Sequence, residues 1–140
     1  MTMNSSEITA FLNRIDPALL GVIATIDTTQ YPTTIPVWYR YDGEVVNIWT
    51  TTARAWPNHI LCRPKVSFAV METEPPFSAV LIKGQAELVV NGGGHWSEVR
   101  AITERYIAPE EIDAYIAPWS ALDTMCVIHP EKVVSWKRGY

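Results

Sequence analysis

The sequence predicts an α+β domain, mainly β, organised around an antiparallel barrel, and three observations predict it. Two alternating apolar runs, Thr33 to Tyr41 and Glu44 to Thr50, flank Asp42-Gly43, the dipeptide that most strongly favours the left-handed turn of a β-hairpin. Ala79 to Val90 reads as one long strand. The helical runs are short and few, and they interleave with strands in the order of an α+β fold. At 140 residues the chain is expected to form one domain over 1–140. A domain of that size buries about 68–70% of the surface its unfolded form exposes, enough for a single core.

The elements follow in order. Ser5 or Ser6 can cap a helix running to about Arg14, with Ile8, Phe11, Leu12 and Ile15 on one face, and Asp16-Pro17 stops it. Leu19 to Ile26 is almost continuously apolar, as suits a strand buried on both faces, and Asp27 to Pro32 turns into the second strand. Ala53 to Arg63 is a short helix. Pro57 would cost about 3 kcal/mol deep inside it, so the helix begins there with Arg54 in the preceding loop, or kinks there. Lys65 to Glu72 is the fourth strand, Thr73 to Ser78 a loop, and Ala79 to Val90 the fifth strand. The Asn91-Gly-Gly-Gly94 run lacks the Lys-Ser/Thr of a phosphate-binding P-loop and reads as a flexible turn. His95 to Ile107 and Pro109 to Trp119 are helical, with Val99, Ile102, Tyr106 and Ile107 on one face and Ile112, Tyr115 and Ile116 on another. Thr124 to His129 is the last strand; Pro130 breaks it, and Lys132 to Trp136 continues extended.

Composition excludes several function classes. A formal charge of −4, without a Lys/Arg stripe, argues against nucleic acid as partner. Cys62 and Cys126 stand alone, with no Cys-x-x-Cys pair or secretory leader, and read as buried thiols in a reducing compartment. The apolar runs fall far short of the ~20 residues that span a bilayer, so a cytoplasmic protein without membrane partners is expected. His59, His95 and His129 have no metal-type spacing, and no metal is expected. No Ser stands in a nucleophile elbow, and no conventional catalytic set emerges.

The chemistry concentrates where the third strand gives way to the short helix. Thr50, Thr51 and Thr52 alone could simply end a strand, and Arg54 alone could be a solvated charge. Together at a helix start, where backbone N–H groups lack partners, the hydroxyls and the guanidinium suit a phosphate.

Pro-x-x-x-Pro-Val-Trp-Tyr at 32–39, Asp42-Gly43, the Thr cluster, Arg63-Pro64-Lys65-Val66, Glu74-Pro75-Pro76-Phe77 and Lys83-Gly84-Gln85-Ala86-Glu87 occur in this order and spacing. The stretch from Gly21 to Val89 thereby resembles the pyridoxamine 5'-phosphate oxidase-like flavin-binding split barrels, with a weaker echo at Val133 to Trp136. The resemblance implies a six-stranded antiparallel split barrel with short flanking helices, a homodimer, and FMN or the related 8-hydroxy-5-deazaflavin coenzyme at the subunit interface. It also implies that the strand residues Val37, Trp38 and Tyr39 lie against the isoalloxazine, with Pro36 among the cofactor-binding residues beside them and the phosphate at Thr50, Thr51, Thr52 and Arg54. With six Trp in the chain, some are expected in a flat-ring pocket or a dimer contact. Trp136 is the candidate contributed across the dimer.

The match departs from the family at one place. Counting back from Pro64, the family has a hydroxyl residue at the position of Arg54, a phosphate-binding Lys at that of Trp56 and an Asn at that of His59. Here Asn58 stands one place early and the helix holds no Lys. Either Arg54 takes over the Lys role by reaching the same anion from one turn away, with Trp56 and Pro57 altering the local backbone path, or the phosphate site is weak and a different ligand, or none, is bound. The expected activity is that of a flavin- or deazaflavin-dependent oxidoreductase acting on a small organic substrate, the cofactor carrying the chemistry. Pyridoxamine 5'-phosphate itself is not the expected substrate, because no second set of basic residues could clamp a second phosphate. The alternative is a non-enzymatic carrier or sensor of flavin, haem or another flat ligand.

Overall fold

The computed structural model describes residues 1–90, 95–119 and 124–139. After helix α1 (Ser5–Leu12) the chain forms strands β1 (Gly21–Ile26), β2 (Pro32–Val37), β3 (Arg40–Tyr41) and β4 (Val46–Thr50). Helix α2 (Ala55–Cys62) leads into β5 (Lys65–Met71) and β6 (Ala79–Val90). Helices α3 (Trp96–Thr103) and α4 (Ile112–Ile116), the latter between two short 3-10 turns, precede β7 (Thr124–Trp136).

All strands pair antiparallel in one sheet of order β2-β1-β5-β6-β7-β4-β3. This order puts β2 and β3 at opposite edges, yet only Trp38 and Tyr39 separate them in the chain. Laid flat, strands about 4.8 Å apart would set those edges roughly 29 Å from each other. The link from Val37 to Arg40 spans three Cα steps, a reach of about 11 Å. The sheet must curl until its edges meet, and the product is a split barrel. Seven strands stand where six were expected, because the run from Thr33 to Tyr41 breaks at Trp38-Tyr39. Its first part pairs with β1 and its last two residues with β4's start.

One face of the curled sheet encloses the main core. A row of facing residues, Ile35, Ile23, Phe68 and Ile82, crosses four strands of this face, and the exposed Val133 lies beyond it on β7. Phe11 and Leu12 of α1 and Trp56 and Ile60 of α2 pack into this interior. Gly21 is required there: a Cβ would come within 2.2 Å of the Phe68 ring, which meets Tyr39 edge-on at 5.0 Å. A second core lies on the outer face of β4 and β7, where Met125 and the half-buried Trp49 and Val127 are covered by Val99, Ile102, Ile112 and Ile116 of α3 and α4. Arg40 donates to both carboxylate oxygens of Glu98, at 2.8 and 2.7 Å, and Asn47 Nδ2 donates to the same carboxylate at 3.1 Å. This bidentate anchor fixes α3 over the β3–β4 edge.

Several expectations are corrected. Helix α1 is capped by Asn4, not by Ser5 or Ser6: Asn4 Oδ1 accepts from the Glu7 N–H and Glu7 Oε1 from the Asn4 N–H. It stops at Leu12 because the Asn13 side chain pairs with both backbone groups of Tyr41. Strand β1 is buried on one face only, with burial alternating along it. The Asp42-Gly43 turn is wider than a two-residue hairpin; Tyr41 pairs with Val46, and Asp42 Oδ1 accepts from the N–H groups of Glu44 and Val45. Pro130 does not break β7. It sits opposite Gly84 at a bulge that leaves Glu131 out of the ladder, the kind of position where a missing N–H is tolerated. Cys62 is exposed, whereas Cys126 is buried. The Asn91-Gly-Gly-Gly94 turn lies outside the described residues.

Candidate functional site

The link that closes the barrel also builds a cavity. Trp38 leaves the sheet where β2 ends, and its ring stacks on Tyr106 at 4.9 Å with 9° between planes and on Tyr115 at 5.1 Å with 28°. Beside it opens a cavity of about 140 Å³. Pro36, Val37 and Trp38 line one side and Trp49, from the outer face of β4, another. Ile102 of α3, Tyr115 of α4 and Trp119 close it from above, and Arg54 stands in its lining at the start of α2. The walls are therefore flat aromatic rings and aliphatic carbons, with one guanidinium as the permanent charge.

Local sequence explains how Arg54 comes to stand there. It is the N-cap residue of α2, with extended backbone, and no side chain caps the helix. Asn58 Nδ2 donates to the carbonyls of Thr52 at 2.7 Å and Arg54 at 2.8 Å, which folds the loop back onto the helix. His59 Nδ1 and the buried Thr25 hydroxyl lie 2.9 Å apart and fasten α2 to β1. Pro57 falls in the first turn, where its missing N–H costs nothing. The Arg54 guanidinium makes no ion pair or hydrogen bond among the described residues, while those of Arg14, Arg40, Arg100 and Arg105 are all engaged. An unpaired guanidinium beside uncapped helix N–H groups and an aromatic cavity can bind a flat ligand carrying an anionic group.

The residues singled out from the sequence are not all brought together. Pro36, Val37, Trp38 and Arg54 share the cavity. Thr51 and Thr52 belong to the loop ahead of Arg54, where Thr51 Oγ1 accepts from the Ala53 N–H at 3.3 Å. Thr50 alternates with Trp49 and is fully buried on the barrel side, its hydroxyl without a hydrogen-bond partner among the described residues. Trp56 is 4% exposed and packs in the main core. Asn58 serves the loop. Trp136 pairs with Ala79 at the far end of β7 from Thr124, away from this cavity.

Of Trp49, Trp56, Trp119 and Trp136, which cannot all be interior to so small a barrel and some of which are expected in a flat-ring pocket or a dimer contact, Trp49 and Trp119 line this cavity. The sequence does not point to Ile102 or Tyr115 as lining residues. The apolar period groups Tyr115 with Ile112 and Ile116 on one face, but those two residues four apart are buried while Tyr115 turns sideways to Trp38.

Two wider clefts contain none of the predicted residues. One, of about 390 Å³, lies between Arg14, Asp16, Glu72 and Glu74, and there Arg14 is paired with Glu72. The other, of about 400 Å³, runs over the outer face past Lys65 and Lys83. Among the described residues no group of three or more His, Cys, Asp or Glu could hold a metal ion, and no helix is long and apolar enough to cross a membrane.

Comparison with known proteins agrees with this architecture. A structure named F420 reductase superposes with a TM-score of 0.69 at 23% identity, covering 89% of this chain and 93% of that one. The conserved hypothetical protein Rv2991 from Mycobacterium tuberculosis gives 0.76 at 24%, covering 97% and 86%. A FAD-binding protein from Mesorhizobium loti gives 0.70 at 19%, covering 96% and 93%. At these identities the likeness shows the fold. No curated protein matches the chain. The family model described as pyridoxamine 5'-phosphate oxidase matches residues 5–137, from the first residue of α1 to just past the end of β7, and the chain therefore belongs to the pyridoxamine 5'-phosphate oxidase family.

Proposed function

We propose that this protein is an oxidoreductase that holds FMN, or the 8-hydroxy-5-deazaflavin coenzyme, against the Trp38 wall and acts on a small organic substrate, as a cytoplasmic homodimer. The observation that carries the reading is the unpaired Arg54 guanidinium in the lining of a cavity walled by Trp38, Trp49, Tyr115 and Trp119. The residues fit such a group. Rings supply flat apolar surface, while Arg54, Thr51, Thr52 and the first N–H groups of α2 supply anion donors. A volume of about 140 Å³ is below the roughly 300–1,000 Å³ of pockets that enclose a whole ligand. One chain then offers part of a site, and a second copy completes it. Names among the similar structures, an F420 reductase and a FAD-binding protein, support the ligand class.

In this reading Arg54 binds the anionic end, Trp38 and Tyr115 orient the flat ring, and Ile102 and Trp119 exclude water. The cofactor supplies hydride transfer when bound. Among the described residues no carboxylate or histidine lines the cavity, and these contribute orientation and desolvation rather than a general base. That same absence favours a second reading, a carrier or sensor that binds a flat ligand without turnover.

The deciding experiment is the visible absorbance of purified protein before and after adding FMN and desalting, followed by addition of a reduced nicotinamide. Flavin bands that survive desalting and bleach on reduction support the oxidoreductase. Retained bands without turnover across electron donors support the carrier, and a colourless protein overturns FMN and moves the test to the deazaflavin.

A further inference from the structure

Arg105 follows α3, is 9% exposed and makes no ion pair among the described residues. Its charge is met by backbone oxygens. Nη1 donates to the Tyr39 carbonyl and, at 3.0 Å, to the Tyr106 hydroxyl; Nη2 donates to the carbonyls of Leu12 at 2.9 Å and Arg14 at 3.1 Å. Its Nε is buried without a partner among the described residues. The guanidinium also lies over two rings, 4.5 Å from the centre of Tyr39 and 5.1 Å from that of Tyr106. Taking a cation out of water with no counterion is costly, and an apolar side chain in its place would leave these oxygens without their donor. What an apolar side chain could not do is join these segments.

The segments are those that set the place of Trp38. Tyr39, whose carbonyl and ring Arg105 holds, is the other residue of the two-residue link that closes the barrel. Tyr106, whose hydroxyl and ring Arg105 also holds, is the platform on which the Trp38 ring lies, and its hydroxyl donates to the Leu19 carbonyl at 2.8 Å. Leu12 is the last residue of α1, whose carbonyl lacks a helical partner and favours a cation, and Arg14 lies just past the Asn13 C-cap. The fork thus grips the backbone next to Trp38 on one side and the ring beneath Trp38 on the other. Nη1 alone joins Tyr39 to Tyr106 and Nη2 ties that pair to Leu12 and Arg14; a lysine has one nitrogen and no planar fork, so it cannot hold all four oxygens or lie flat over both rings.

We infer that Arg105 is the positioning residue of the cavity: without touching a ligand, it fixes the Trp38 wall by binding Tyr39 and Tyr106 together. The ligand arm of this inference rests on the cofactor reading above; the spectral arm does not.

The experiment compares near-ultraviolet circular dichroism of ligand-free wild type, Trp38→Phe and Arg105→Lys, and titrates each with FMN. The difference between wild type and Trp38→Phe isolates the signal of the stacked indole. Arg105→Lys is expected to lose most of that signal, to keep its far-ultraviolet spectrum, and to bind FMN about tenfold or more weakly. Ile82→Val, a truncation in the barrel core, is expected to lower the urea midpoint while retaining both signal and affinity, which separates positioning from general loss of stability. An Arg105→Lys protein with the full indole signal overturns the inference. Wild type that fails to bind FMN overturns the cofactor reading instead, and leaves the spectral arm to decide Arg105. Should Arg105→Lys not fold, Tyr106→Phe decides, since it keeps the ring but neither accepts from Arg105 nor donates to Leu19. A reduced indole signal in that variant supports the inference and an unchanged one overturns it.

Discussion

Arg54 is the residue on which anion binding turns, because α2 contains no other cation in its first turn. A charge-assisted hydrogen bond is worth about 1.5–3 kcal/mol, so Arg54→Gln is expected to weaken FMN binding roughly tenfold to a hundredfold, as measured by fluorescence titration. Unaltered affinity would move the phosphate elsewhere. The place of Arg54 in the cavity lining was legible only through its company, the Thr cluster at a helix start, since a guanidinium alone could be a solvated charge. Trp56 and Thr50 were not. The family pattern assigns their positions but not their faces, and here alternation along β4 and the first turn of α2 direct both side chains into the barrel. The two thiols show the same dependence on face. Burial pushes Cys126 up to about 12 from 9.0. Folded protein keeps that proton where unfolded chain loses it, so stability is full below pH 9 and falls as pH rises from there toward 12. Cys126→Ala should lose stability less steeply over that window in alkaline urea titrations. In the native state a thiol reagent should label Cys62 alone, and a second thiol should appear only on unfolding.

The bulge between β6 and β7 carries the clearest prediction for an element. Gly84 lies against it so closely that a Cβ would stand 2.1 Å from the His129 carbonyl oxygen, a backbone atom with no freedom to move aside. Gly84→Ala is therefore expected to cost at least the ~1–3 kcal/mol typical of overpacking, read as a lowered urea midpoint. A neutral result would mean that the bulge can slide in register. The strands were legible where apolar alternation and turn residues agreed, as the bounds of β6 and the end of β4 show. Three boundaries were not, each for a tertiary reason. The run from Thr33 to Tyr41 alternates throughout, and only closure of the barrel requires it to break at Trp38-Tyr39. Pro130 forbids a ladder hydrogen bond, yet a long partner strand absorbs it by skipping Glu131. Helix α3 ends at Thr103, sooner than its apolar period, which leaves Arg105 and Tyr106 outside it to reach Tyr39 and Leu19.

For the molecule as a whole, the outer face of the sheet sets the question of assembly. Register aligns Pro36, Val22, Ala69, Leu81 and Val134 in one apolar row across five strands, and Met71, Ala79 and Trp136 in the next. Within this chain α3 and α4 cover β4 and β7 near Met125, not this stripe. Met71 remains 47% exposed. A stripe of this kind is what a two-fold interface covers, and it begins at Pro36, which also lines the cavity. Covering it would complete the small pocket and bring Trp136's face toward a second copy's site, the role the sequence suggested for that residue. Light scattering is accordingly expected to give twice 15.8 kDa at micromolar concentration. Leu81→Glu sets a charge in the middle of the row, where burial without a partner is costly. It should yield a folded monomer that no longer retains FMN, whereas Lys83→Glu, in the polar row beside it, should stay dimeric. A wild-type monomer that still binds FMN would show that one chain suffices, and would make the stripe irrelevant to the site. A Leu81→Glu dimer with undiminished binding would place the interface on another face.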